Sequence, residues 1–180
     1  MNYIILDLEA TCWKDRSIKK QNEIIEIGAV KVNASGNIVD EFNAFIKPKL
    51  NPVISEFCTE LTSITQSEIN SAQAFPNVIS EFIKWINTEN EYLLCSWGFY
   101  DKKQFQNDCK LYELDSEWTN PHISLKHQYA SINNLRRPIG MGGALKKEKL
   151  MLDGIHHRGI DDARNISKIF IKYLGKWTDK

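Results

Sequence analysis

The sequence has no excess of charge of either sign: 23 Lys and Arg stand against 23 Asp and Glu, with 4 His. A neutral chain exerts no long-range pull on a polyanion or an anionic membrane surface, so any nucleic acid it holds must be gripped locally. Long apolar runs are missing too. No stretch reaches the roughly 18 uninterrupted apolar residues of a membrane span. The short run Ile4-Ile5-Leu6 meets Asp7 with no basic segment before it, unlike a secretory signal. Cysteine is scarce: Cys12, Cys58, Cys95 and Cys109 are far apart and form no Cys-x-x-Cys pair, so a disulfide scaffold is not expected. Together these absences predict a cytoplasmic protein. With only 9 Gly and 5 Pro, the chain is neither low-complexity nor fibrous. Its 180 residues, 42% hydrophobic and 26% charged, suit one compact domain over 1–180, with no second nucleic-acid-binding domain fused to it.

What is present begins with three strand-like segments, Tyr3 to Ala10, Glu23 to Val32 and Ile38 to Ile46, the last two joined by the turn signal Asn33-Ala34-Ser35-Gly36-Asn37. They predict an antiparallel meander, ended by Pro48 and Pro52 and followed by short helical pieces through Leu61 to Thr65. Val78, Ile79, Phe82, Ile83 and Ile86 recur at helical spacing and predict a helix from Phe75 to Ile86. Tyr92-Leu93-Leu94-Cys95-Ser96 has the continuous apolar character of a strand covered on both faces. Further helices are expected at Asp101 to Leu111, Leu125 to Ser131, Ala144 to Met151 and Asp161 to Leu174, the last strongly amphipathic. The fold class is therefore α/β: a mixed central sheet, meander plus parallel inner strands, flanked by helices.

Chemistry concentrates in acids. Asp7 and Glu9 alternate with Leu6 and Leu8 in the first strand, so they share one face about 6.6 Å apart along it. Two acids on one face of a central strand are costly to bury unless a cation neutralises them, although an edge strand with a solvated face would also accept them. Asp101 follows the inner strand at the start of a helix, where an acid serves equally as an N-cap or as a ligand beyond the carboxyl end of a strand. The segment His156-His157-Arg158-Gly159-Ile160-Asp161-Asp162 fits His-x-x-x-x-Asp in two registers. Asp162 precedes Ile166 and Ile169 on the inward helix face, whereas Asp161 shares a stripe with Arg164, Asn165, Lys168 and Lys172, expected to face solvent. Asp162 with His157 is thus the preferred pair. A zinc site on the two histidines lacks cysteine partners. Basic clusters at Lys102-Lys103, Arg136-Arg137 and Lys146-Lys147 with Lys149 could grip phosphates, but each alone is equally a solvated surface.

These residues in series resemble the DEDD exonucleases of the histidine subtype, in the ribonuclease H-like superfamily: Asp7-Leu8-Glu9-Ala10-Thr11 as first motif, Asp101 as second, and His157 with Asp162 as third. Cys12, Phe57-Cys58 with Leu61-Thr62-Ser63-Ile64-Thr65, and His157-Arg158-Gly159-Ile160-Asp161-Asp162-Ala163 with Asn165-Ile166 are similar to the branch of histone-mRNA and small-RNA 3′ exonucleases and KapD-like proteins. The resemblance covers nearly the whole chain. It implies a 3′→5′ exonuclease that releases nucleoside 5′-monophosphates from RNA or DNA 3′ ends. Asp7, Glu9, Asp101 and Asp162 would hold two Mg²⁺ or Mn²⁺ ions, and His157 would act as general base. The resemblance further places Ala10 and Thr11 by the terminal sugar, Leu61 and Ile64 as walls against the last base, and Trp97 as a stacking surface. The segment between Trp97 and Asp101 varies within the branch, which leaves Asp108 as the fallback for Asp101. Two other readings of the chain are an end-binding module without chemistry and a phosphohydrolase of small phosphoesters.

Overall fold

The computed structural model describes residues 1–15 and 20–178. Strands β1 (Asn2–Ala10), β2 (Ile24–Asn33) and β3 (Ile38–Lys47) form the antiparallel meander expected from their patterning. The β2–β3 turn closes because Asn33 Oδ1 accepts from the backbone N–H groups of Ser35 and Asn37, with Gly36 supplying the positive φ.

Helices α1 (Glu56–Thr62) and α2 (Gln66–Ser71) follow, each started by a hydroxyl: Ser55 accepts from Cys58 N–H, and Thr65 forms a reciprocal capping box with Glu68. The two-residue β4 (Gln73–Ala74) runs parallel to β3 and leads into α3 (Phe75–Ile86). Next come β5 (Tyr92–Ser96), α4 (Tyr100–Leu111), β6 (His122–Ser124), α5 (Leu125–Ile132), α6 (Met141–Glu148) and α7 (Gly159–Lys172). The sheet order is β4-β3-β2-β1-β5-β6, with β5 parallel to β1 and β6 parallel to β5. Crossing from β2 to β5 through β1, the sheet changes from antiparallel to parallel pairing.

Alternation along β1 divides the core. Ile4, Leu6 and Leu8 pack with Phe75, Val78, Ile79, Phe82 and Ile86 of α3 and with Phe105 of α4. Ile5 lies on the other face with Val30, Leu93 and Cys95, under Tyr129, Leu145 and the Ile160, Ile166, Ile169 and Phe170 stripe of α7. Asp7 and Glu9 share the parity of Ile5, so they rise on the α7 side. No helix among the described residues is long and apolar enough to cross a membrane.

Helices α4 and α5 differ from their expected bounds by one residue, and α6 and α7 by more. α6 starts at Met141, ahead of the expected Ala144: Gly140 is extended and its carbonyl accepts from Ala144 N–H, while left-handed Lys149 ends the helix before Met151. α7 starts at Gly159 rather than Asp161, because an acid from another strand satisfies its first N–H, as described next.

Candidate active site

Carboxylate oxygens of Asp7, Glu9 and Asp162 can be chosen that all lie within 4.8 Å of one another. Each is fixed by a different element. Asp7 and Glu9 are held by the β1 ladder, opposite Gly28 and Glu26 of β2. Asp162 is in the first turn of α7, where its N–H donates to the Arg158 carbonyl. Asp101, in the first turn of α4, accepts through Oδ1 from Leu8 N–H at 3.2 Å, the amide between the two β1 acids. Glu9, Asp101 and Asp162 are buried, and Asp7 is half-buried.

Crowding sets the electrostatics. Burial, then the charges of Asp101, Glu9, Asp162 and Glu26, hold the Asp7 carboxyl well above the usual carboxylate range. Burial, followed by Glu26 and Asp162, pushes Glu9 up to about 9. Burial raises Asp101 to about 6, opposed by hydrogen bonds from Leu8 N–H and the Ser96 hydroxyl. Among the described residues no Lys or Arg forms an ion pair with Asp7, Glu9 or Asp101. Clustered hard oxygens lacking a cationic side chain fit a hard divalent cation far better than a soft one.

The two histidines sit in a turn rather than in an extended segment. His157 has φ 66°, a left-handed turn that brings its ring onto that of His156, with centroids 4.0 Å apart and planes at 18°. Adjacent side chains therefore do not point to opposite sides here; both imidazoles can bring a nitrogen within 4.8 Å of an Asp162 oxygen. His156, half-exposed, bonds Asp162 through Nδ1 at 2.9 Å, while His157 offers Asp162 its backbone N–H at 3.1 Å. Burial and the neighbouring His156 lower the His157 pKa.

Asp161 points away from the acids, accepting from Ile155 N–H at 2.9 Å and from Arg164 Nη1 at 3.1 Å. One member of its expected solvent stripe does not face solvent. Asn165 is fully buried, because the loop before α7 covers it: its amide donates to the Asp153 carbonyl and its Oδ1 accepts from Asp153 N–H. Asp108 is buried outside the acid cluster, accepting from Ile24 N–H at 2.9 Å and from Gln104, and so ties α4 to β2.

The five residues expected around the substrate differ in exposure. Ala10 and Thr11 follow Glu9 directly; both are buried, and Thr11 Oγ1 accepts from Glu23 N–H. Leu61 is 37% exposed, whereas Ile64 is at 0%, packed with Ile25, Cys58 and Ile69. Trp97 turns inward, its ring 5.7 Å from Tyr129 and its Nε1 donating to the Ile139 carbonyl. An exposed aromatic beside the acids is Tyr100: the residue is 52% accessible, yet its hydroxyl sits where desolvation and the charges of Asp101, Asp108 and Glu9 push it up to about 12. No sequence pattern singles out Tyr100.

A second omission is the support beneath α7. Fully buried Glu26 accepts from Gly159 N–H at 2.9 Å and from Arg158 Nε at 3.2 Å, capping the helix that carries Asp162. Gly28 and Gly159 let the backbones touch: a β-carbon on Gly28 would meet Gly159 C at 2.0 Å. The sequence signal was an acid inside the apolar run from Ile24 to Val32.

Comparison with known proteins places the chain in a family. The family described as Exonuclease matches residues 4–170. Mouse ERI1 exoribonuclease 2 is 31% identical over 95% of this chain, and rat 3′-5′ exoribonuclease 1 is 32% identical over 94%. The chain spans only 28% and 52% of those two proteins, respectively. The solved nuclease domain of 3′hExo, described as a DEDDh family member bound to rAMP, superposes with a TM-score of 0.91 at 30% identity, over 96% of this chain and 91% of that one. With its acids on one face of the sheet and its match running almost end to end, the chain belongs to the DEDDh exonuclease family.

Proposed function

We propose that this chain is a divalent-metal-dependent 3′→5′ exonuclease that removes nucleoside 5′-monophosphates from RNA ends, with DNA ends as alternative substrates. The observation that carries the reading is the convergence of Asp7, Glu9 and Asp162 from two distant segments within 4.8 Å, with imidazoles against the third. RNA is favoured because the relatives carry the name exoribonuclease and the 3′hExo domain holds rAMP.

Asp7, Glu9, Asp101 and Asp162 would hold two Mg²⁺ or Mn²⁺ ions, which, when bound, neutralise the phosphodiester and favour ionisation of the attacking water. His157 is the general base. Its lowered pKa leaves it neutral at physiological pH and able to take the water's proton. His156 steadies Asp162 through its Nδ1 contact. Ala10 and Thr11 extend β1 toward the terminal sugar, and Leu61 lines the approach to the last base. Tyr100, exposed beside Asp101, provides the sequence-tolerant stacking face in place of Trp97 and Ile64, which are committed to packing. Exposed Arg136, Arg137, Lys146 and Lys147 supply local positive charge for the phosphate backbone. The chain acts as one domain over 1–180, and its four unpaired cysteines suit a reducing cytoplasm.

Matched RNA and DNA oligonucleotides labelled at the 5′ end test the reading. A ladder shortening from the 3′ end in Mg²⁺ or Mn²⁺, abolished by chelator, is expected. An intact but bound oligonucleotide would mark an end-binding module, and hydrolysis of a mononucleotide ester alone a phosphohydrolase.

A further inference from the structure

Phe99, at the start of α4, is 57% accessible and stands directly before exposed Tyr100 and buried Asp101. Apolar residues exposed singly need no explanation, but two aromatics in a row beside the acids form a platform. The Phe99 ring is braced by two imidazoles. Its centroid is 5.0 Å from that of His127 of α5, stacked at 26°, and 5.9 Å from that of His122 of β6, tilted at 54°. His127 is itself fixed through Nδ1, 2.6 Å from Ser124 Oγ. A ring held in this way is ordered before any ligand arrives, which removes part of the cost of binding.

Phe99, His122, Ser124, His127 and Gln128 line a cavity of about 380 Å³, within the range of about 300–1,000 Å³ for small-ligand pockets. It lies close to the acids. Leu6, Ser96 and Ser124 form one row across β1, β5 and β6, which sets Ser124 about 10 Å from the residue before Asp7. Along the chain, the Cα atoms of Phe99 and Asp101 are at most about 7.6 Å apart. Lys102, the next residue, donates from Nζ to Asn120 Oδ1 at 2.7 Å, two residues before His122, so a cation flanks the cavity. The walls offer little to read a base edge: the Gln128 amide both donates to and accepts from the Thr178 backbone, and His127 Nδ1 is taken by Ser124.

An aromatic face with a neighbouring ammonium is the combination that holds single-stranded nucleic acid without regard to sequence. The geometry points to a second base subsite: Phe99 stacks the penultimate base, on the upstream side of the scissile phosphate, and Lys102 neutralises the phosphate beyond it. This rests on the exonuclease reading of the acids.

Binding of 5′-labelled oligoribonucleotides, followed by fluorescence anisotropy in Ca²⁺, whose loose shell slows cleavage, tests it. Three oligonucleotides are compared: one intact, one lacking the penultimate base and one lacking the last base. Phe99→Ala, with an unchanged Tm, should bind the intact oligonucleotide about tenfold more weakly than the wild type. It should show the same loss without the last base and none without the penultimate base, because side chain and base are then two ends of one contact. Phe99→Trp should restore the affinity. Lys102→Gln should weaken all three alike and lower the salt dependence by about one counterion. A Phe99→Ala that binds the intact oligonucleotide like the wild type, or loses as much affinity without the penultimate base, overturns the subsite and leaves the exonuclease reading standing. An unchanged salt dependence in Lys102→Gln overturns the phosphate contact. A wild type that neither binds nor cleaves any of the three overturns the exonuclease reading and this inference with it.

Discussion

Gly28 of β2 lies flush against Gly159, the first residue of α7, and Gly159 in turn approaches the Asp7 carbonyl so closely that its own β-carbon would stand 3.0 Å away. The helix carrying Asp162 is thus seated on the strand carrying Asp7 with no side chain between them. Gly28→Ala should push α7 outward, costing about 1–3 kcal/mol of stability. A displacement of about 1 Å at Asp162 should lower the rate on the order of 10²-fold. Melting and single-turnover cleavage check this; a variant with wild-type Tm and rate would show that the seam yields elsewhere.

The two stacked histidines separate by rate. A general base contributes roughly 10²–10⁴-fold, so His157→Ala should lose that much at saturating metal. His156→Ala removes only a half-exposed contact to Asp162 and should cost at most about tenfold. If His156→Ala proves the dead variant, the motif is shifted by one residue.

Asp161 and Asp162 separate by metal. Asp162→Asn should sharply raise the Mg²⁺ or Mn²⁺ concentration needed for activity. Asp161→Asn should leave it unchanged and cost about 1 kcal/mol of stability through weakened contacts to Ile155 N–H and Arg164. Equal metal requirements in the two variants would argue against Asp162 as a ligand.

Glu9 makes a pH prediction. Its folded pKa, about 9, stands above the ordinary value of 4.5, so it favours folding while protonated. That contribution is full below about 4.5 and is lost as pH climbs toward 9. In chelator, the wild type should therefore lose stability relative to Glu9→Gln between pH 7 and 9, by up to about 1.4 kcal/mol per pH unit. Divalent metal should remove most of the difference, and Glu9→Gln should be inactive throughout. Parallel melting curves for the two proteins in chelator would contradict it.

Much of this was legible in local pattern. Alternation in β1 put Asp7 and Glu9 opposite Ile4, Leu6 and Leu8, and the 3.6-residue stripe of α7 put Asp162 inward, as observed. The bounds of α3 and β5 follow from apolar spacing alone. What escaped depends on partners distant in sequence. β4 and β6 are too short to carry a period, and they pair with β3 and β5 respectively. Asn165 looked solvent-facing until the loop at Asp153 folded over it. Trp97, placed by the resemblance as a stacking surface, donates to the Ile139 carbonyl, a partner 42 residues away. The left-handed turn at His157 has no sequence signature, since histidine does not announce a positive φ as glycine does.

The order in which the chain delivers these residues matters for how the site is assembled. The three acids on β1 and α4 leave the ribosome well before the loop and α7 that bring His157 and Asp162. Domains fold as units, and α7 is packed against β1 and β2 through the glycine seam and the Glu26 cap. A chain halted before residue 157 therefore holds the acids of β1 and α4 without His157 and without Asp162. Assembly of the acid cluster therefore waits on α7, for only that helix brings Asp162 to Asp7 and Glu9.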